Sequence, residues 1–258
     1  MSYSPEQIAA FVGAAAWLPQ LFRWGYGYFS RPKVVLIPNS TVEIGYTAFG
    51  PIFNIKLALS GALRDVLLEE FTVEIKHENG ETRTLHWRGT QEVLNQIRDA
   101  SGIRETVERE GSAIAVKVTP DMLVDRVFRM QDTRFQEQYR TLLEDLSSQV
   151  SFQKSQGDGA RARVEASDVL DKCIRYYRAN FSWRPGRYQA RFHCKSINEP
   201  IRLETSDCNF LLSQADVDVI RENTNLLRDH FLWVHFRNET IPPQPEIQFA
   251  WIYPQISR

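Results

Sequence analysis

Too little cysteine is present for a disulfide framework: Cys173, Cys194 and Cys208 are odd in number, and none forms a CxxC pair. No zinc cluster follows from that spacing either, and a reducing compartment fits it best. Nor is there an excess of one charge, since 31 basic residues stand against 32 acidic ones in a chain of 258. This balance excludes the basic tail of a non-specific nucleic-acid binder and the acidic, aromatic-poor composition of a disordered chain. The sequence also lacks a phosphate-binding glycine loop, an HExxH pair and a GxSxG elbow, and its five histidines are scattered. No catalytic, cofactor-binding or metal-binding residue is assigned, and a role without catalysis is expected. What is present is 43% hydrophobic and 12% aromatic residues, enough to build a core without disulfides or metal.

One long uncharged run stands out: Ile8 to Phe22 is fifteen residues without a charge, followed by Arg23 and the aromatics Trp24, Tyr26, Tyr28 and Phe29. Ser4, Pro5, Glu6 and Gln7 read as a helix start, with a capping hydroxyl, a proline where no N–H partner is needed and an amide to reach back. Fifteen residues rise only ~22 Å, short of a hydrocarbon core of ~30 Å. Extension to Phe29 makes one pass feasible, with Arg23 snorkelling. Pro19, Gly25 and Gly27 weaken such a helix, so three readings compete: a membrane anchor, a helix docked on protein, and a signal peptide that lacks its positive n-region. As an anchor, the segment places Ile8, Phe11, Trp17, Leu18, Phe22 and Trp24 in lipid. Arg23, Arg31 and Lys33 then put everything after Pro32 in the cytoplasm. Small residues at Ala9 and Gly13, and at Ala10 and Ala14, have the spacing of self-associating helices.

After Pro32 the pattern alternates, as in half-buried strands. Strands are expected at Val34–Ile37, Thr41–Ala48, along GPIFNIKLAL and along FTVEIKH, the last turning through Glu78-Asn79-Gly80-Glu81 to a return strand with Leu85 and Trp87. AIAVKV puts Ile114, Val116 and Val118 on one face. Two polar helices with apolar stripes, Asp132–Gln149 and Ala166–Asn180, look like an insertion. Ser213 and Asp216 form a capping pair for a helix along SQADVDVIRENTNLL, and FLWVHF and EIQFAWIY read as two final strands around Pro242-Pro243-Gln244-Pro245.

In the run WRPGRYQARFHC, the arrangement of Gly186, Tyr188 and Ala190 with Trp183 nearby resembles the penultimate strand of immunoglobulin-like sandwiches. The resemblance implies a tyrosine corner that ties a loop to the sheet. Ala190 stands where that family carries cysteine, so no inter-sheet disulfide is implied. The hairpin FTVEIKHENGETRTLHW, with the extended run before it, also resembles bacterial proteins of unknown function that join an N-terminal membrane helix to such a sandwich. No catalytic residues come with that resemblance.

Weaker constellations have plainer explanations. His193, Cys194 and Cys208 read as packed thiols beside a strand histidine rather than a metal site, and Glu165, Asp168 and Asp171 as a solvated helix start. From Arg161 to Arg191 there are seven arginines and Lys172 against three acids, interleaved with Tyr176, Tyr177, Phe181 and Trp183. Arg175, Arg178, Arg184 and Arg187 could there contact phosphate of nucleic acid or anionic lipid. The competing reading is an arginine-rich outer face in a chain that uses arginine 24 times and lysine 7 times.

The expected whole is mainly β (α+β). Residues 1–32 form the hydrophobic helix, and 33–258 an immunoglobulin-like antiparallel sandwich with a helical insertion at about 120–180. The expected function is membrane-associated recognition or scaffolding at the inner membrane, single-pass, with lipid and a protein partner or second copy as its contacts and no cofactor. The alternatives are a membrane-perturbing effector of antiviral defence, a soluble subunit docking through its helix, and an enzyme with a dispersed site.

Overall fold

Alternation between Lys33 and His77 folds into three long strands, β1 (Lys33–Thr47), β2 (Gly50–Ala62) and β3 (Val66–His77). The computed structural model describes residues 15–22, 25, 30–99, 102–197, 200–205, 207–237 and 246–257. The two strands expected at Val34–Ile37 and Thr41–Ala48 are one, because β1 continues through an irregularity between Pro38 and Val42 opposite β2. Gly80, at φ +91°, supplies the turn after β3, and the His77 N–H donates to Glu81 O at 2.8 Å.

The return strand β4 (Thr82–Asp99) changes neighbours along its length. It pairs with β3 as far as His86, with β7 (Val124–Gln131) over His86–Gln91, and with β5 (Gly102–Ser112) from Gly89 outward. β6 (Val116–Val118) pairs with the start of β3. There Val116 and Val118 are buried as expected, but Ile114 is 76% exposed because it precedes the strand.

Between β7 and the next strand lie three helices, α1 (Thr133–Ser155), α2 (Ala160–Glu165) and α3 (Asp168–Ala179). The first begins at Asp132, whose carboxylate accepts from Phe135 N at 3.1 Å and pairs with Arg83 at 3.3 Å. Phe135 and Tyr177 from these helices meet Tyr46 at the end of β1, and Tyr139 and Tyr176 pack on those two rings in turn. Tyr46 donates to Tyr177 O at 2.7 Å, and Tyr177 donates in turn to Ala48 O. Burial pushes both phenols well above the ordinary tyrosine range, so they remain donors.

β8 (Gly186–Ser196) runs antiparallel to β3, with Val73 opposite Phe192. It is followed by β9 (Arg202–Thr205), β10 (Cys208–Leu212) and α4 (Gln214–Phe236). The expected Ser213–Asp216 capping box is present at the start of α4. FLWVHF, however, is the last part of α4 and not a strand: Val217, Ile220, Leu227 and Phe231 continue one buried helical stripe with no breaker between them. Of EIQFAWIY only β11 (Trp251–Ile252) is strand, followed by β12 (Ile256–Ser257).

The result is mainly β, a single curled mixed sheet in the order β11-β1-β2-β7-β4-β3-β8-β10-β12. One segment bridges its two ends. β9 pairs in parallel with Lys33–Leu36 of β1, while β11 and β12, both from the C-terminal segment, pair with β1 and β10. Phe53, Phe71, Phe128, Phe192 and Phe210 fill the inside.

Candidate functional site

A groove of about 690 Å³ lies on the outer wall of β3, β8 and β10, and the C-terminal segment forms one side. Strand register builds it: Lys76 faces Gln189, Gln189 faces Asn209, and Asn209 faces Ser257, so one lateral row carries an ammonium, two amides and a hydroxyl. Beyond that row lie Glu78, Arg187, Leu211 and Gln255. Leu211 is 59% exposed, an apolar spot within a polar surface. Such a wall offers hydrogen bonds of both senses to an extended polar ligand. Among the described residues no group of His, Cys, Asp and Glu is arranged to hold a metal ion.

One end of the groove is held rigidly. Tyr188 stacks on Phe210 at 5.1 Å, and its hydroxyl donates to Arg184 O at 2.9 Å while accepting from Arg184 N at 2.8 Å. This is the loop-to-sheet tie that the Gly186–Tyr188 pattern led us to expect. His77 grips the same loop: its Nδ1 accepts from Asn79 N at 3.3 Å, so Nε2 carries the proton and donates to Pro185 O at 3.1 Å. Gly186, at φ +135°, passes so close that a Cβ there would lie 2.5 Å from His77 Nε2. At the other end Asp207 accepts from Gln189 at 2.9 Å and from both Nε and Nη2 of Arg191, which holds its carboxyl below the usual carboxylate range.

The four arginines singled out in the sequence are all exposed but do not share one partner surface. Arg175 and Arg178 lie on α3, the second donating to Asn225 of α4 at 3.2 Å. Arg184 pairs with Glu81 at 3.1 Å, and Arg187 lines the groove. The interleaved Tyr177 is fully buried and cannot stack on a base. His193 is exposed and Cys208 buried, and Asp171 pairs with Arg228 of α4.

Of the six anchor residues, Ile8, Phe11 and Trp24 lie outside the described residues. Residues 15–22 are helical, and all eight are exposed. Trp17, Leu18, Leu21 and Phe22, between 50% and 76% exposed, fall within an arc of about 140° at 100° per residue. No helix among the described residues is long and apolar enough to cross a membrane.

Sequence reasoning missed the groove because its lateral row spans residues 76 to 257 and exists only through register. It also missed the environment of His230 on α4, which packs at 5.1 Å from the Phe249 ring with Nδ1 buried and without a hydrogen-bond partner among the described residues. Burial draws the His230 imidazole below its ordinary pKa, with Glu246 pulling the other way, and burial and Lys154 lower His235. The unfolded chain therefore binds these protons more readily than the folded one. Stability should be full above about pH 6.5 and fall as the pH drops through the unfolded histidine pKa. Urea midpoints between pH 7 and pH 5 check this: His230→Gln should flatten the slope, and an unchanged slope would contradict the assignment. Comparison with known protein families, curated proteins and solved structures finds no match for this chain.

Proposed function

We propose that the protein is a membrane-associated recognition or scaffold module without catalytic activity, its N-terminal segment engaging the inner membrane and its β body presenting the groove in the cytoplasm. The observation that carries the proposal is the apolar helical stripe of Trp17, Leu18, Leu21 and Phe22, which is exposed and precedes β1 in the chain. Large apolar side chains gathered on one exposed arc seek lipid or another apolar surface. Arg23, Arg31 and Lys33 follow the stripe and favour the cytoplasmic side for what comes after.

The finer fold belongs to the same proposal. The order β1-β2-β7-β4-β3-β8-β10 corresponds to the strand order A-B-E-D-C-F-G of an immunoglobulin-like sandwich folded into two faces, with β4 passing from one face to the other. The Tyr188 tie on the penultimate strand β8 supports it, and the three helices then occupy the E–F connection. In this reading the groove lies on the face of strands C, F and G.

Fractionation of cells tests the proposal: the full chain should sediment with membranes through a high-salt wash, while a chain beginning at Ser30 should stay in the supernatant. Full chain recovered in the supernatant without detergent would overturn membrane association and favour docking of the same stripe on a partner protein.

A further inference from the structure

The curled sheet is completed by the last residues of the chain. Beyond the parallel pairing of β9 with Lys33–Leu36, residues 251–257 fill a notch between β1 and β10 and pair with both. On one side Trp251 and Ile252 pair with Gly45 and Ile44, Pro254 O accepts from Val42 N at 3.2 Å, and Gln255 bridges to Thr41. On the other, Ile256 and Ser257 pair with Phe210 and Asn209. Just before the notch Asn223 of α4, 1% exposed, donates to Ala250 O and accepts from Ala250 N, both at 2.8 Å. That amide imitates a neighbouring strand. The segment is thus held largely through its main chain, as sheet edges hold added peptide strands.

Side-chain selectivity is concentrated at one seat. The Trp251 ring lies against Gly45, where a Cβ would come within 2.6 Å of two ring carbons, so the seat exists because residue 45 has no side chain. Ile252 beside it is buried, whereas Tyr253 is 61% exposed. The regular strand content is only two residues on each side of the notch, little compared with the long pairings elsewhere in the sheet.

We infer that the notch between β1 and β10, with its Asn223 clamp, is a binding site for an extended peptide that places an aromatic ring on Gly45 and an aliphatic side chain next to it. The chain's own residues 249–257 are its resident occupant, displaced by an incoming segment of the same pattern. Because Gln255 and Ser257 form one side of the neighbouring groove, exchange at the notch also rebuilds that groove. This inference stands independently of the membrane reading.

The test uses the full chain with a protease site placed within residues 238–245 and cut after folding, so that the C-terminal segment is held without a covalent link. The probe is a labelled synthetic peptide of residues 246–258. It should replace the resident segment while the body keeps its melting transition, read by mass spectrometry and fluorescence anisotropy. The same peptide with Trp251→Ala should bind roughly thirtyfold more weakly, the scale of losing a central aromatic anchor. Gly45→Ala in the cut protein should abolish uptake; if that variant does not fold, the peptide comparison decides alone. A resident segment that leaves only when the body unfolds, or equal uptake of a scrambled peptide, would overturn the inference.

Discussion

Val73→Asp should leave no cooperatively folded β body. Val73 is fully buried on β3 opposite Phe192 of β8, and Phe71 and Ile75 flank it on the same inward face. A carboxylate there has no cation or donor within the apolar interior, and burying it costs several kcal/mol against a typical total stability of about 5–15 kcal/mol. Glu74→Lys, one residue along, reverses the side that points outward. It sets a lysine opposite Arg191 and should cost about 1 kcal/mol or less. Thermal melts of the two variants decide whether the inward and outward faces are assigned correctly. Equal losses would mean that they are not.

Tyr177→Ala should be nearly as damaging, at about 3–5 kcal/mol, because a large ring leaves a site packed by Tyr46, Phe135, Tyr139 and Phe231. Tyr177→Phe isolates the polar part. It removes the donor to the part-buried Ala48 O and should cost about 0.5–1.5 kcal/mol, the net worth of one such hydrogen bond. Tyr176 is only half-buried at the rim of the same cluster, and its alanine variant should lose less. Urea denaturation gives all three values, and parent-like stability for Tyr177→Ala would contradict a structural role for this ring. The burial of Tyr177 also weakens the nucleic-acid reading of the arginine-rich stretch, since the aromatics needed for stacking hold the helices to the end of β1.

Local signals were read correctly where one residue type has one physical use. Gly80 marked the β3–β4 turn and Ser213 with Asp216 the start of α4, because each acts within a few residues of itself; the loop tie of Tyr188 was expected from the resemblance to immunoglobulin-like strands. Alternation in β3 and β8, and in β2 from Ile55 onward, likewise identified their inward faces locally, whereas Asn54, set on the outward side of β2, is buried. FLWVHF was misread because a short apolar run has no period of its own; only the stripe begun at Val217 shows that it continues a helix. The β4–β5 ribbon was not anticipated at all, since the stretch after Arg88 is rich in Glu, Gln and Arg and alternates poorly. Of the strand expected along EIQFAWIY only the two residues of β11 form, and β12, also two residues, is too short for any pattern, yet together they bridge the ends of the sheet. The groove was illegible for a related reason: Lys76, Gln189, Asn209 and Ser257 are brought side by side by register, which no single segment encodes.

Membrane engagement through the N-terminal stripe is tested most directly by flotation of the purified full chain with vesicles containing anionic lipid, at low and at high salt. The account predicts that the chain floats under both conditions, and that Trp17→Ser with Phe22→Ser returns it to the bottom fraction without changing its melting transition. Flotation that survives this double substitution, or that disappears in high salt for the unaltered chain, would contradict it.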